Sequence, residues 1–196
     1  YRAVQDTIRY FKSAKDDDPS GAPKFLWNAK MRFGKTFASY QLAKKMGFKR
    51  VLVLTFKPAV ESAWREDLVT HVDFEGWQFV SNKDAHGNDL SIDQQFAACD
   101  RGRPIVVFGS FQDLLGTNDA GGIKAKNQFI HDINWDLVIF DEYHFGAWRE
   151  NAKKLFEIPD DESNADFNVE QYKEEEADNA INESWLPITT SYYLYL

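Results

Sequence analysis

The chain has one cysteine, Cys99, only two methionines, and no apolar run approaching the roughly 18 residues that a membrane-crossing helix needs. A single cysteine excludes a disulfide framework. No basic segment followed by an apolar one opens the sequence, so nothing in it reads as a secretory signal. These absences predict a protein that works in the reducing cytoplasm, away from a membrane. An excess of positive charge is also missing: 31 Asp and Glu outweigh 23 Lys and Arg, for a net charge of -8. What the chain does have is apolar material, 43% hydrophobic and 15% aromatic over 196 residues. That is enough for one real core, and it excludes wholesale disorder.

The negative charge is concentrated. Between Glu157 and Glu183 there are eleven acidic residues and one basic residue, Lys173, a local net charge of -10. The remainder therefore carries +2, and the overall acidity does not argue against a nucleic-acid partner. The segment reads as a solvated insertion, with a short helix around 168–180. The sequence opens at Tyr1 without a methionine and closes on the aromatic run Ser191–Leu196, which has the pattern of a buried strand. Both features predict a piece of a longer protein: one domain over residues 1–196 with an acidic insertion at about 157–183.

Elsewhere, apolar strands alternate with helices. Val4, Ile8 and Phe11 recur at helical spacing over 2–14. The stretch 15–23 is rich in Asp, Pro and Gly and reads as a loop. Strands are predicted at 25–28, 50–55, 76–80, 104–108, 135–140 and 192–196. Helices are predicted at 35–46 (closed by Gly47), 58–69, 91–99 (opened by Ser91), 111–115, 125–132 and 147–156. Strands that are apolar throughout, separated by helices, give a mostly parallel sheet covered on both faces. Ligands of such sheets bind at the carboxyl ends of the strands, so the chemistry is sought in the loops after them.

The loop after the first predicted strand reads Ala29-Lys30-Met31-Arg32-Phe33-Gly34-Lys35-Thr36. This is small-x-x-x-x-Gly-Lys-Ser/Thr, with Ala29 where a glycine is usual. A loop of this kind wraps a phosphate in backbone N–H groups, and a glycine lets the backbone approach without a Cβ. The helix that follows turns its positive end to the anion. Lys35 is placed to reach the β- and γ-phosphates, and Thr36 to offer a hydroxyl to Mg²⁺. After the 135–140 strand comes Asp141-Glu142-Tyr143-His144. Paired carboxylates at the end of a buried strand, about 105 residues after a phosphate loop, suit ATP hydrolysis. Asp141 would hold Mg²⁺ and Glu142 would polarise the attacking water.

Gly-Lys-Thr followed by Asp-Glu-x-His resembles motifs I and II of superfamily 2 helicases and translocases of the DEAD/DEAH-box type. Arg2-Ala-Val-Gln5 looks like the element ahead of motif I whose Gln contacts adenine. Thr55-Phe-Lys-Pro-Ala59 is similar to motif Ia, and Phe108-Gly-Ser-Phe-Gln112-Asp-Leu to motif Ib. Leu194-Tyr-Leu196 looks like the strand that leads into motif III. Within the superfamily the look is nearest to the helicase subunits of type III and type I restriction enzymes and related phage-defence translocases. The resemblance implies an α/β, three-layer RecA-like P-loop NTPase domain with a mostly parallel central sheet. It implies ATP and Mg²⁺ as cofactors, with Gln5 and residues 29–36 at the nucleotide and Lys35, Asp141, Glu142 and His144 in catalysis. Thr36 and Asp141 would face the metal. Thr55, Lys57, Ser110 and Gln112 fall in segments that line the nucleic-acid track. The implied partners are the DNA backbone, a second RecA-like domain in the full-length chain, and nuclease, methylase or specificity subunits. An isolated first domain is expected to hydrolyse ATP weakly or not at all.

Two other readings stay open: another P-loop NTPase, such as a nucleotide kinase or AAA+ ATPase, and a non-catalytic module that keeps the fold. Neither explains Arg-x-x-Gln before the phosphate loop together with intact Lys35, Thr36, Asp141 and Glu142. His71, His86 and His131 have no metal-ligand spacing. Cys99, Trp27, Trp64 and Trp135 read as core residues, and Trp148 as a contact of the insertion or of another domain.

Overall fold

The computed structural model describes residues 2–28, 33–83, 87, 89–115, 125–141 and 188–196. All of them fall within one unit, Tyr1–Tyr143 with Ile188–Leu196. The elements in chain order are α1 (Arg2–Asp17), β1 (Lys24–Leu26), α2 (Lys35–Met46), β2 (Arg50–Thr55), α3 (Glu61–Thr70) and β3 (Gln78–Val80). There follow α4 (Ile92–Ala98), β4 (Ile105–Ser110), α5 (Phe111–Leu114), α6 (Gln128–Asp132), β5 (Asn134–Trp135), β6 (Leu137–Asp141), β7 (Thr189–Thr190) and β8 (Tyr193–Tyr195). Helices predicted at 147–156 and 168–180, and the acidic insertion, lie outside the described residues.

Six strands form one sheet in the order β1-β8-β6-β2-β4-β3, and every pairing is parallel. Its central strands are apolar on both sides because both faces are covered. Val51 and Val53, Val106 and Phe108, Leu137 and Ile139, and Leu194 pack in one cluster with Phe11 of α1, Tyr40 and Leu42 of α2, and Trp64 and Leu68 of α3. The alternate residues face the other way: Phe140 stacks on Phe111 of α5, 5.7 Å between ring centres, and lies beside Tyr193 and Tyr195. The expectation of an α/β fold with a mostly parallel sheet holds, and the six-stranded sheet is parallel throughout.

Local rules explain the boundaries. Gly47 closes α2 in a left-handed conformation (φ 71°), with its N–H and that of Phe48 satisfying carbonyls of the last turn. Ser91 and Gln94 form a reciprocal capping box that opens α4. The predicted helix at 58–69 begins instead as a 3₁₀ turn at Pro58–Val60, with α3 starting at Glu61. The strand predicted at 76–80 shortens to 78–80, because Gly76 turns at φ 82° and the Trp77 N–H bonds back to Phe74. The strand predicted at 135–140 is split at Asp136. Its carboxylate accepts the N–H groups of Lys49 and Arg50 at 2.8 and 2.9 Å, and its own N–H donates to the Arg50 carbonyl. Asp136 thereby ties the start of β2 to the start of β6, and β5 pairs separately with β7.

A second carboxylate joins two helices. Asp67 of α3 accepts the backbone N–H of Phe37 in the first turn of α2. Such N–H groups have no partner inside their own helix. Burial, then the neighbouring Glu66, raises the Asp67 carboxyl above its ordinary value of 3.8, against the opposing pull of His71 and the Phe37 N–H.

Two outcomes follow. Asp136→Ala removes an acceptor shared by two backbone donors and should lower stability by about 1–3 kcal/mol, with Asp136→Asn recovering part of it, both read from urea unfolding. Asp67→Asn should stabilise the domain at neutral pH. A raised carboxyl keeps its proton longer in the folded chain, so it disfavours folding above pH 3.8 and not below. The gain in melting temperature should therefore vanish as pH falls below that value.

Candidate functional site

Because the sheet is parallel, β2, β4 and β6 all end on one edge. Their registers align Thr55 with both Ser110 and Asp141. Alternation along a strand puts Asp141 on the same face as Leu137 and Ile139, the face covered by α2 and α3. There the carboxylate is almost fully buried. Its Oδ2 accepts the indole N–H of Trp64, from the middle of α3, at 2.7 Å. That is a short, charge-assisted hydrogen bond to a carboxylate which would otherwise be costly to bury.

β1 ends on the same edge, separated from β6 by β8 alone. At the usual strand spacing that is a gap of about 10 Å between the β1 and β6 axes. The chain leaves β1 through Trp27, whose N–H still bonds the Tyr195 carbonyl of β8. The Trp27 indole donates to Thr7 Oγ1 at 2.8 Å, and the Thr7 hydroxyl in turn donates to the Ala3 carbonyl. Helix α1, which carries the exposed Gln5, is thus fastened where the chain leaves β1 toward the phosphate-loop motif. Beyond residues 29–32, Gly34 adopts a left-handed conformation (φ 78°, ψ 41°) and opens α2. This is a conformation glycine takes without steric cost. Lys35 and Thr36 stand half-buried in the first turn of α2, where the N–H groups and the helix dipole favour an anion.

The segments expected to meet nucleic acid lie on the same edge but differ in what they can offer. Thr55 is fully buried, and its hydroxyl accepts the Lys57 N–H at 3.0 Å. The Ser110 hydroxyl caps α5: it accepts the Asp113 N–H and donates to the Asp113 carboxylate. Lys57 and Gln112 are exposed. Thr55 and Ser110 therefore shape the two loops, while Lys57 and Gln112 are the side chains turned to solvent. Between them Phe56 stacks on Phe111 at 4.4 Å, joining the two loops through their rings.

The described residues thus bring together Gly34, Lys35, Thr36, Thr55, Lys57, Ser110, Gln112 and Asp141 on the carboxyl edge of one sheet. Ala29, Lys30, Met31 and Arg32, and Glu142 and His144, lie outside the described residues. Phe33 is exposed. Trp64 is the site residue that sequence patterning does not find. With Leu68 it forms an i, i+4 apolar pair, the ordinary mark of a core face, and its contact with Asp141 spans 77 residues. Its indole donates to a carboxylate, whereas those of Trp27 and Trp135 donate to a hydroxyl and a backbone carbonyl. Cys99 is half-buried rather than core, its thiol raised by burial. Among the described residues no helix is long and apolar enough to cross a membrane.

No family model matches the chain. Among solved structures it is similar to the Sulfolobus solfataricus SWI2/SNF2 ATPase core in complex with double-stranded DNA. The TM-score is 0.46 and the identity 15%, over 96% of this chain and 30% of that one. Among curated proteins it is 33% identical, over 175 residues, to the Mycoplasma pneumoniae protein named "Putative type II restriction enzyme and methyltransferase RM.MpnORF110P C-terminus". That match takes in 83% of this chain, which spans 23% of the length of that relative.

Proposed function

We propose that this chain is the first RecA-like, ATP-binding domain of a superfamily 2 helicase or translocase motor serving a restriction or phage-defence enzyme. The observation that carries the reading is the shared edge. Gly34-Lys35-Thr36 at the start of α2 and Asp141 at the end of β6 are about 105 residues apart in sequence. β1, which leads into the phosphate-loop motif, and β6, which ends in Asp141, belong to one parallel sheet with the single strand β8 between them. The similarity to a restriction and methyltransferase protein supports the biological setting.

In this reading the nucleotide's phosphates lie across the N-terminus of α2. Lys35 contacts the β- and γ-phosphates, and Gln5 the adenine. The Thr36 hydroxyl and the Asp141 carboxylate are hard oxygen donors of the kind Mg²⁺ takes, and those two residues would hold it. Bound there, the metal would supply charge neutralisation at the phosphates. Glu142 orients a water for attack on the γ-phosphorus and accepts its proton as the bond to ADP breaks. His144 links the nucleotide to the segments that follow. Lys57 and Gln112, on loops shaped by Thr55 and Ser110, face the DNA backbone. Binding there is sequence-tolerant and weakens with salt. The second motor domain supplies arginines whose contribution to rate is roughly 10³–10⁵, so this chain alone is slow.

Two experiments test the reading. Titration with a fluorescent ATP analogue should show saturable, Mg²⁺-dependent binding that Lys35→Ala abolishes, and equal binding in both proteins would overturn it. In the full-length protein, Glu142→Gln should keep nucleotide binding while slowing DNA-stimulated hydrolysis about 10²–10⁴-fold. Unchanged hydrolysis would remove Glu142 from the role of base.

A further inference from the structure

We propose that Trp64 is a positioning residue for the metal site: its indole N–H holds the Asp141 carboxylate in the orientation that receives the cation. The inference rests on the ATP-binding reading and adds to it a residue outside the phosphate-loop and Asp-Glu motifs.

Three observations carry it. The first is the acceptor. A buried indole N–H needs a partner, and a backbone carbonyl is sufficient, as Trp135 shows with Ile130. Trp64 instead meets the Asp141 carboxylate at the carboxyl end of β6, at 2.7 Å and almost fully buried. The second is rigidity. Trp64 is 1% exposed, and its carbonyl accepts the hydroxyl of Tyr40 at 2.8 Å. The Tyr40 ring meets the indole edge-on, at 5.4 Å and 87°. Tyr40 lies on α2, one turn beyond Thr36, so the helix that presents Thr36 also braces the residue that orients Asp141. The third is placement. α3 follows the Lys57 loop by one 3₁₀ turn, Pro58–Val60, so the element next to the proposed nucleic-acid segment is also the one that contacts the proposed metal ligand.

A carboxylate with one oxygen fixed by a donor cannot rotate freely about its Cβ–Cγ bond. The entropy of orienting it is then met during folding rather than at each binding event. Replacing the indole by a phenyl ring keeps apolar bulk but removes the donor. Loss of a hydrogen bond to a charged group corresponds to about a tenfold change in an equilibrium constant, or more.

The test uses the fluorescent ATP analogue on wild type, Lys35→Ala and Trp64→Phe, each with and without Mg²⁺. Trp64→Phe is expected to raise the half-saturating Mg²⁺ concentration about tenfold while leaving metal-free nucleotide affinity unchanged. A merely structural role would weaken both together. If wild type and Lys35→Ala bind alike, the ATP-binding reading itself fails. If Lys35→Ala loses binding but Trp64→Phe keeps the wild-type Mg²⁺ dependence, or loses affinity equally with and without metal, the reading stands and this inference is overturned. Should Trp64→Phe not fold, wild-type NMR decides. The Trp64 indole ¹H–¹⁵N resonance, assigned through the backbone, should move when Mg²⁺ is added to the nucleotide complex. A resonance unmoved by the metal contradicts the proposal.

Discussion

All six strands of the main sheet run the same way, and the arrangement of the site depends on that. An antiparallel pairing would send one of β1, β2, β4 or β6 to the opposite edge and separate the residues that now stand together. Parallel strands that follow one another in the chain need crossovers: α2 joins β1 to β2, α3 joins β2 to β3, α4 joins β3 to β4, and α5 and α6 lie between β4 and β6. The helices that cover the sheet are therefore also the ones that begin at its carboxyl edge. α2 opens with Lys35 and Thr36 there, and α3 follows the Lys57 loop.

Covering the sheet has an electrostatic consequence. Asp141 ends a strand whose other residues are completely buried, on the face packed by aromatic side chains of α2 and α3. A carboxylate there needs a donor. Water is largely excluded, and Trp64 supplies one hydrogen bond. Asp67 answers a complementary need, giving the Phe37 N–H in the first turn of α2 an acceptor that the helix cannot provide. Both contacts originate on α3, which thus braces the proposed phosphate-binding helix and the proposed metal ligand from one rigid element.

Much of this was legible in the residues. The apolar runs at 50–55 and 104–108 read as buried strands, and Gly47 and Ser91 marked helix ends through conformations and hydrogen bonds that few residues provide. Gly34-Lys35-Thr36 and Asp141 stood out because the chemistry proposed for them demands particular residues at particular spacings. What escaped was tertiary. Trp64 looks like any core tryptophan until β6 is placed beside β2. The break at Asp136 depends on backbone N–H groups nearly 90 residues away in sequence. Thr55 and Ser110 matched segments expected to line a nucleic-acid track, and their hydroxyls turn out to be engaged in shaping their own loops. A motif specifies which loop is present, whereas the hydrogen bonds of the folded chain decide which side chains of that loop face outward.

The most direct measurement is a crystal structure of the chain grown with Mg²⁺, ADP and beryllium fluoride. The account predicts the diphosphate against Gly34, Lys35 and Thr36, and the metal between the Thr36 hydroxyl and the Asp141 carboxylate, with the Trp64 indole still on Asp141. A nucleotide bound elsewhere, or phosphates at α2 with a metal that ignores Asp141, would contradict it.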